Sequence, residues 1–156
     1  MFNKILLQLH KKLIRKQKTV AVAESCTGGL LSNLLTGLPG SSNYFLLGVV
    51  TYSNKSKETI LNIPAKTIAR YGAVSRQVAI FMAQNIRKKT DADFGLSITG
   101  IAGPAGAATA KPVGTVFIAL AGKNKTLCRL FLLPGKREIV RKKSAQEALR
   151  LLHAQI

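Results

Sequence analysis

Apolar residues recur at helical spacing from the start of the chain. Phe2, Ile5, Leu6, Leu9 and Leu13 share one side of a segment running to about Lys16, with lysines on the other. This predicts an amphipathic surface helix whose stripe packs on a sheet. Thr19–Ala23 is short, β-branched and apolar, as a buried strand should be. A helix is predicted from about Gly28 to Thr36, stopped by Gly37, Pro39 and Gly40. After a loop at Ser41–Tyr44, a second apolar strand, Leu46–Thr51, delivers Tyr52, Ser53, Asn54, Lys55 and Lys57 to its C-terminal end. Short helices are expected over Ser56–Leu61 and from Pro64 to Arg70. Ser75 is placed to cap a helix through Lys89, with Val78, Phe81, Met82 and Ile86 as a core stripe.

Phe94–Thr99 reads as a third strand, followed by a glycine-rich loop reaching Pro112. Loops of that length inside a compact domain are usually functional or disordered. Val113–Ala121 and Thr126–Leu133, joined by Gly122-Lys123-Asn124-Lys125, predict a β-hairpin. A last helix spans about Arg137–His153, with Ile139, Val140, Leu149 and Leu152 facing inward. Helices alternate with strands early and a hairpin follows. The expected architecture is a three-layer α/β/α sandwich on a mixed, mostly parallel sheet of about five strands.

Composition adds bounds. The 156 residues, 47% of them hydrophobic, suit one domain covering 1–156. The apolar run Ile5-Leu6-Leu7 is too short for a signal peptide, and no stretch approaches the roughly 20 apolar residues that span a bilayer. A soluble, cytoplasmic protein is expected. Two cysteines, Cys26 and Cys128, are too few for a disulfide framework and should be free thiols. The chain carries 24 Lys+Arg against 6 Asp+Glu, a net charge of +18, which favours anionic partners. With no Trp, 6% aromatic residues and no nucleic-acid motif, stacking platforms are few, which argues against nucleic acid as the partner. The basic clusters then read as solvated helix faces.

Candidate chemistry centres on Ala23-Glu24-Ser25-Cys26-Thr27-Gly28-Gly29, where a strand turns into a helix and unpaired N–H groups can hold a phosphate or oxyanion. His10 and His153 lie in the terminal helices, far in sequence from the glycine loops, so a histidine triad or metal site is not expected. Ser25 is either a nucleophile or the N-cap of the following helix, and Cys26 either a nucleophile or packing. Glu24 can orient a lysine or form a buried ion pair. A base for Ser25 would come from Tyr52, Lys55 or Lys57, and a lysine serves only if burial or nearby cations lower its pKa. Gly100 and Gly103 would let a ligand approach the backbone, or simply make a turn.

Five motifs occur together: Ala23–Gly29, Val50-Thr51-Tyr52-Ser53-Asn54, Gly72-Ala73-Val74-Ser75, Ser97-Ile98-Thr99-Gly100-Ile101-Ala102-Gly103-Pro104 and Lys111-Pro112-Val113-Gly114-Thr115-Val116. In this order they resemble the CinA C-terminal domain family over roughly Thr19 to Leu152. Within it, the chain looks like the stand-alone, PncC-type nicotinamide-nucleotide amidohydrolases, without the molybdopterin-type domain of full-length CinA proteins.

The resemblance implies deamidation of nicotinamide mononucleotide to nicotinate mononucleotide and ammonia, with neither a metal nor an organic cofactor. By motif, Ser25 matches the family nucleophile, Tyr52 its tyrosine and Lys57 its lysine, with Lys55 the weaker match. The resemblance allows proton transfer from Ser25 to Lys57 through Tyr52. Backbone groups of Thr27, Gly28 and Gly29, and those of Gly100 to Gly103 after Thr99, are expected to bind substrate or oxyanion. Arg137 matches an arginine near the substrate, with Arg141 as the alternative. A homodimer or larger homo-oligomer is implied. The chain departs from the family in two respects: Ala105-Gly106-Ala107-Ala108-Thr109-Ala110 holds no acid where relatives usually do, and the Lys+Arg excess is larger than the resemblance implies.

Overall fold

The computed structural model describes the backbone of residues 2–156 and the side chains from Lys4 onward. The order is α1 (Phe2–Arg15), β1 (Val20–Glu24), α2 (Leu30–Thr36), a 3-10 turn (Ser41–Asn43), β2 (Phe45–Val50), α3 (Asn54–Leu61), α4 (Ala65–Tyr71), α5 (Arg76–Thr90), β3 (Phe94–Gly100), β4 (Thr115–Ala121), β5 (Thr126–Leu132) and α6 (Arg137–Gln155). The sheet order is β2-β1-β3-β4-β5. β1 pairs in parallel with both β2 and β3, while β4 is antiparallel to its neighbours β3 and β5. Four strands therefore run one way and β4 the other, which is the expected mixed, mostly parallel sheet between helical layers.

Strand alternation separates two cores. Val20, Val22, Leu96, Ile98, Val116 and Ile118 face one layer, made by α1, α2 and α6. Ala21, Ala23, Ala119 and Ala121 face the other, where α5 crosses the sheet. Small residues set how close α5 lies. A Cβ on Gly95 would sit 2.1 Å from the Ala83 carbonyl oxygen, so only glycine lets helix and strand approach this far. Ser97 strengthens the contact by donating its hydroxyl to Ala79 O at 2.7 Å.

Three packing expectations need revision. Phe2's side chain lies outside the described residues, and the rest of the α1 stripe packs chiefly on α6 and α2. A helix pattern shows which face is buried but not which neighbour covers it. Ile139 is 42% exposed, while Val140, Ser144, Ala145, Ala148 and Leu149 carry the inner face of α6. Ile139 instead lies over Gly135 at the helix entry. Finally, β4 starts at Thr115 rather than Val113. Gly114 has a φ of 93°, and a Cβ there would meet Leu133 O at 2.2 Å.

β1 leads through α2 to β2 on one side, and the chain then returns across β1 through α3, α4 and α5 to β3 on the other. In open α/β sheets a ligand crevice forms outside the strand C-termini at such a switch point. Ser25 follows β1 at that point.

Candidate active site

Strand parity aims Ser25. Glu24 points toward α2, so the next residue points to the opposite layer, where α3 lies. The Ser25 N–H donates to Ile98 O at 3.0 Å, which continues the β1–β3 ladder and fixes the backbone. On the facing side, Ser53 caps α3 by accepting from Ser56 N at 3.0 Å. This cap starts α3 at Asn54, two residues earlier than the sequence pattern suggests, and puts Lys57 in its first turns.

Lys57 is 1% exposed. Its Nζ lies 3.1 Å from Ser25 Oγ, 2.6 Å from Thr51 O and 3.3 Å from Tyr52 O. Desolvation lowers its pKa from 10.5 to about 8. A neutral amine has two N–H donors and one lone pair. The two carbonyls match the donors, leaving the lone pair for the Ser25 hydroxyl proton. Lys55, by contrast, points to solvent toward Glu58, 3.9 Å away. The geometry thus separates the two lysines that the sequence left in competition.

The sequence offered a capping role for Ser25 and a lysine-orienting or ion-pairing role for Glu24. Neither holds. Gly29 occupies the N-cap position of α2, with no side-chain cap of its own. The Glu24 carboxylate accepts from Gly29 N, Leu31 N and Ser32 N at 2.8–3.1 Å and from Ser32 Oγ at 2.7 Å. A buried carboxylate is satisfied there because a helix start supplies unpaired N–H groups and a favourable dipole. Ser25 is left free for Lys57.

The same bonds revise the expected anion cradle. Gly29 N is committed to Glu24, and Gly28 N donates to Ser25 O at 3.1 Å. Thr27 is fully buried, and none of Thr27, Gly28 and Gly29 lines the site cavity. Cys26 does line it, yet its thiol is buried and burial pushes its pKa up to about 11. That state suits packing rather than nucleophilic attack.

The cavity, about 290 Å³, opens between the ends of β1 and β3 and the N-terminus of α6. Ser25, Lys57, Tyr52, Thr99, Gly100, Gly103 and Arg137 all border it. Thr99 donates its hydroxyl to Ala73 O at 2.8 Å and so holds the Ala73-Val74 wall in place. Tyr52 is 60% exposed. Its hydroxyl accepts from Arg137 Nη2 at 2.9 Å, and Arg137 Nη1 donates to Gly103 O at 2.8 Å. A relay through Tyr52 is unnecessary when Lys57 already touches Ser25. Arg141 sits one turn along α6 and donates to Thr27 O at 2.8 Å, outside the cavity lining.

Sequence reasoning missed Ala73, Val74, Ile101 and Ala102 as walls. Small apolar residues carry no chemical flag. Their only signal was their place inside the Gly72–Ser75 and Ser97–Pro104 motifs.

The family model of the CinA C-terminal domain matches residues 3–156. The chain belongs to the CinA C-terminal domain family. A Desulforudis audaxviator protein named for competence-damage induction is 52% identical over 140 residues, covering 90% of this chain and 34% of that protein. A CinA-like protein of Geotalea daltonii is 49% identical over 138 residues, covering 88% and 33%. The chain thus spans about a third of the length of the curated relatives it matches. The crystal structure of the competence/damage inducible protein CihA of Agrobacterium tumefaciens superposes with a TM-score of 0.95 at 35% identity, covering 98% of this chain and 94% of that one. A CinA superfamily protein of Escherichia coli gives 0.94 at 32%, covering 99% and 90%. Among the described residues of this CinA domain, no helix is long and apolar enough to cross a membrane.

Proposed function

We propose that this CinA domain is a PncC-type amidohydrolase that converts nicotinamide mononucleotide to nicotinate mononucleotide and ammonia. The observation that carries the reading is the buried amine of Lys57, 3.1 Å from Ser25 Oγ with its pKa lowered to about 8. A serine is a weak nucleophile until an adjacent group takes its proton, and a desolvated lysine is one of the few side chains able to do so near neutral pH.

Neutral Lys57 takes the Ser25 hydroxyl proton as Oγ bonds to the carboxamide carbon, and the C=O electrons move onto oxygen. The N–H of Cys26, which follows the nucleophile and borders the cavity, donates to no protein oxygen among the described residues and is the candidate donor for that oxyanion. The C–N bond then breaks as protonated Lys57 returns its proton to the departing amine, giving ammonia and a Ser25 ester. Water cleaves the ester by the reverse use of the same pair. Arg137 commits two N–H groups to Gly103 O and Tyr52 Oη, and its remaining donors can pair with the substrate phosphate. The apolar walls Val74 and Ile101 suit the pyridine ring. The reaction belongs in the cytoplasm, and the acting unit is a homodimer or larger homo-oligomer.

The test is ammonia release from nicotinamide mononucleotide by the wild-type chain and by Ser25→Ala. The wild type should turn over and the variant should not, with both melting at nearly the same temperature. A wild type that the nucleotide stabilises thermally without releasing ammonia would be a binder, and the proposal would fail.

A further inference from the structure

A second concavity lies at the other end of the sheet, where the Gly122–Lys125 turn of the hairpin meets the last turns of α5. Its volume is about 370 Å³. β3 and β4 each run seven residues between this end and the Ser25 cavity, a separation of roughly 20 Å at strand rise. The two sites share no residue.

Four cations border this concavity: Arg87 and Lys88 from α5, and Lys123 and Lys125 from the turn. No carboxylate borders it. Arg87 Nε donates to the backbone carbonyl of Asp93 at 3.2 Å, which orients the guanidinium and leaves its charge unneutralised. Among the described residues none of these four cations takes part in an ion pair, whereas Asp93, Glu58, Glu138 and Glu147 are paired with other cations. The C-terminal dipole of α5 accounts for Arg87 and Lys88, since cations are favoured in a helix's last turn. It does not account for Lys123 and Lys125, which come from a different element and border this concavity as well as a neighbouring one lined by Leu120, Leu127 and Gln155. Gathering like charges raises the energy of the empty site, and an anion relieves it.

The frame is rigid. Gln84 Nε2 donates to Thr126 Oγ1 at 3.2 Å, tying α5 to β5 across the floor. Gly122 N donates to Lys125 O at 2.8 Å and closes the turn. Gln84, Asn124 and Thr126 add neutral polar groups to the lining. The space exceeds what one tetrahedral phosphate fills, and four cations exceed what one phosphate needs.

We propose that this concavity is a binding site for a compact polyphosphate anion, of the pyrophosphate or triphosphate class. It is separate from the Ser25 cavity and independent of the amidase reading. Phosphoanion recognition here rests on a guanidinium that can bond two oxygens at once and on three ammonium groups that follow as point charges.

The experiment is thermal unfolding and calorimetric titration of the full chain with inorganic pyrophosphate, triphosphate, orthophosphate and a short single-stranded oligonucleotide, all at 150 mM NaCl. Lys123→Gln/Lys125→Gln removes two exposed cations from the turn, and Lys11→Gln/Lys66→Gln removes the same charge from exposed positions outside the concavity. At a hundredfold excess over its dissociation constant, pyrophosphate or triphosphate should raise the wild-type Tm by roughly 5–10 °C. The turn variant should lose at least tenfold in affinity, and the control pair should bind as wild type. Equal losses in both double variants would reduce the effect to net charge and overturn the site. So would the absence of a shift, or oligonucleotide binding without polyphosphate binding.

Discussion

Replacing Lys57 with methionine keeps most of the side-chain volume and removes the amine. At pH 7 an amine with a pKa of about 8 is neutral in about one molecule in ten, against about one in 3,000 at the ordinary 10.5. The site therefore raises the supply of base by a factor of about 300. For wild type, kcat/KM for ammonia release should climb about tenfold per pH unit below pH 8 and level off above it. The substrate phosphate itself titrates near pH 6, so the slope is read above about 6.5. Lys57→Met should lose roughly a thousandfold or more and show no inflection near 8.

The same shift has a signature in stability that needs no substrate. Between pH 8 and 10.5 the folded chain holds Lys57 neutral while the unfolded chain still binds the proton. The unfolded state binds more protons there, so stability rises with pH through that window. The change is about 3 kcal/mol, from a shift of 10.5 to about 8. Lys57→Met should lack that rise, and urea unfolding of both proteins at pH 7.5 and 10.5 measures it. A flat activity profile from pH 6.5 to 9, a midpoint near 10.5, or a Lys57→Met variant keeping a tenth of wild-type activity would refute the assignment.

Further outcomes follow from the same contacts. Glu24→Gln leaves some α2 N–H groups facing an amide NH2 instead of a carboxylate, so it should cost about 2–3 kcal/mol, seen as a lower urea midpoint. Arg137→Gln should raise KM for nicotinamide mononucleotide by about 10- to 100-fold, as expected for one charge-assisted contact, and leave KM for the unphosphorylated riboside unchanged. Equal effects on both substrates would place Arg137 away from the phosphate. Gly95→Ala puts a methyl 2.1 Å from Ala83 O and 2.6 Å from Arg87 Cβ. Overpacking of that kind costs about 1–3 kcal/mol and should lower Tm by several degrees.

Much of this protein was legible in the order of its residues. Ser75 stands where the pattern predicts a cap, and its hydroxyl accepts from Val78 N at 3.3 Å. Of the stripe that periodicity predicts as core, Val78, Met82 and Ile86 are fully buried and Phe81 packs against them half-buried. Such features depend on neighbours three or four residues away, and periodicity records them directly. The motifs themselves hold Ser25 and the Gly100–Gly103 backbone, and the family resemblance points to Lys57 five residues beyond Tyr52.

Other questions turned on contacts between residues distant along the chain. Ser25 looked like a cap until Glu24, five to eight residues before the N–H groups it accepts from, took that role. Lys55 and Lys57 are the same residue type two positions apart. Only the helix geometry after Ser53 sends one to solvent and the other to Ser25, 32 residues away. Arg137 and Arg141, one turn apart on α6, divide similarly between the cavity and the Thr27 carbonyl. The sequence by itself determined which groups were available and which elements would carry them, because those follow from local spacing. The tertiary structure alone decided which amine is buried, since desolvation depends on what packs around it, and burial is what lowers the pKa of Lys57.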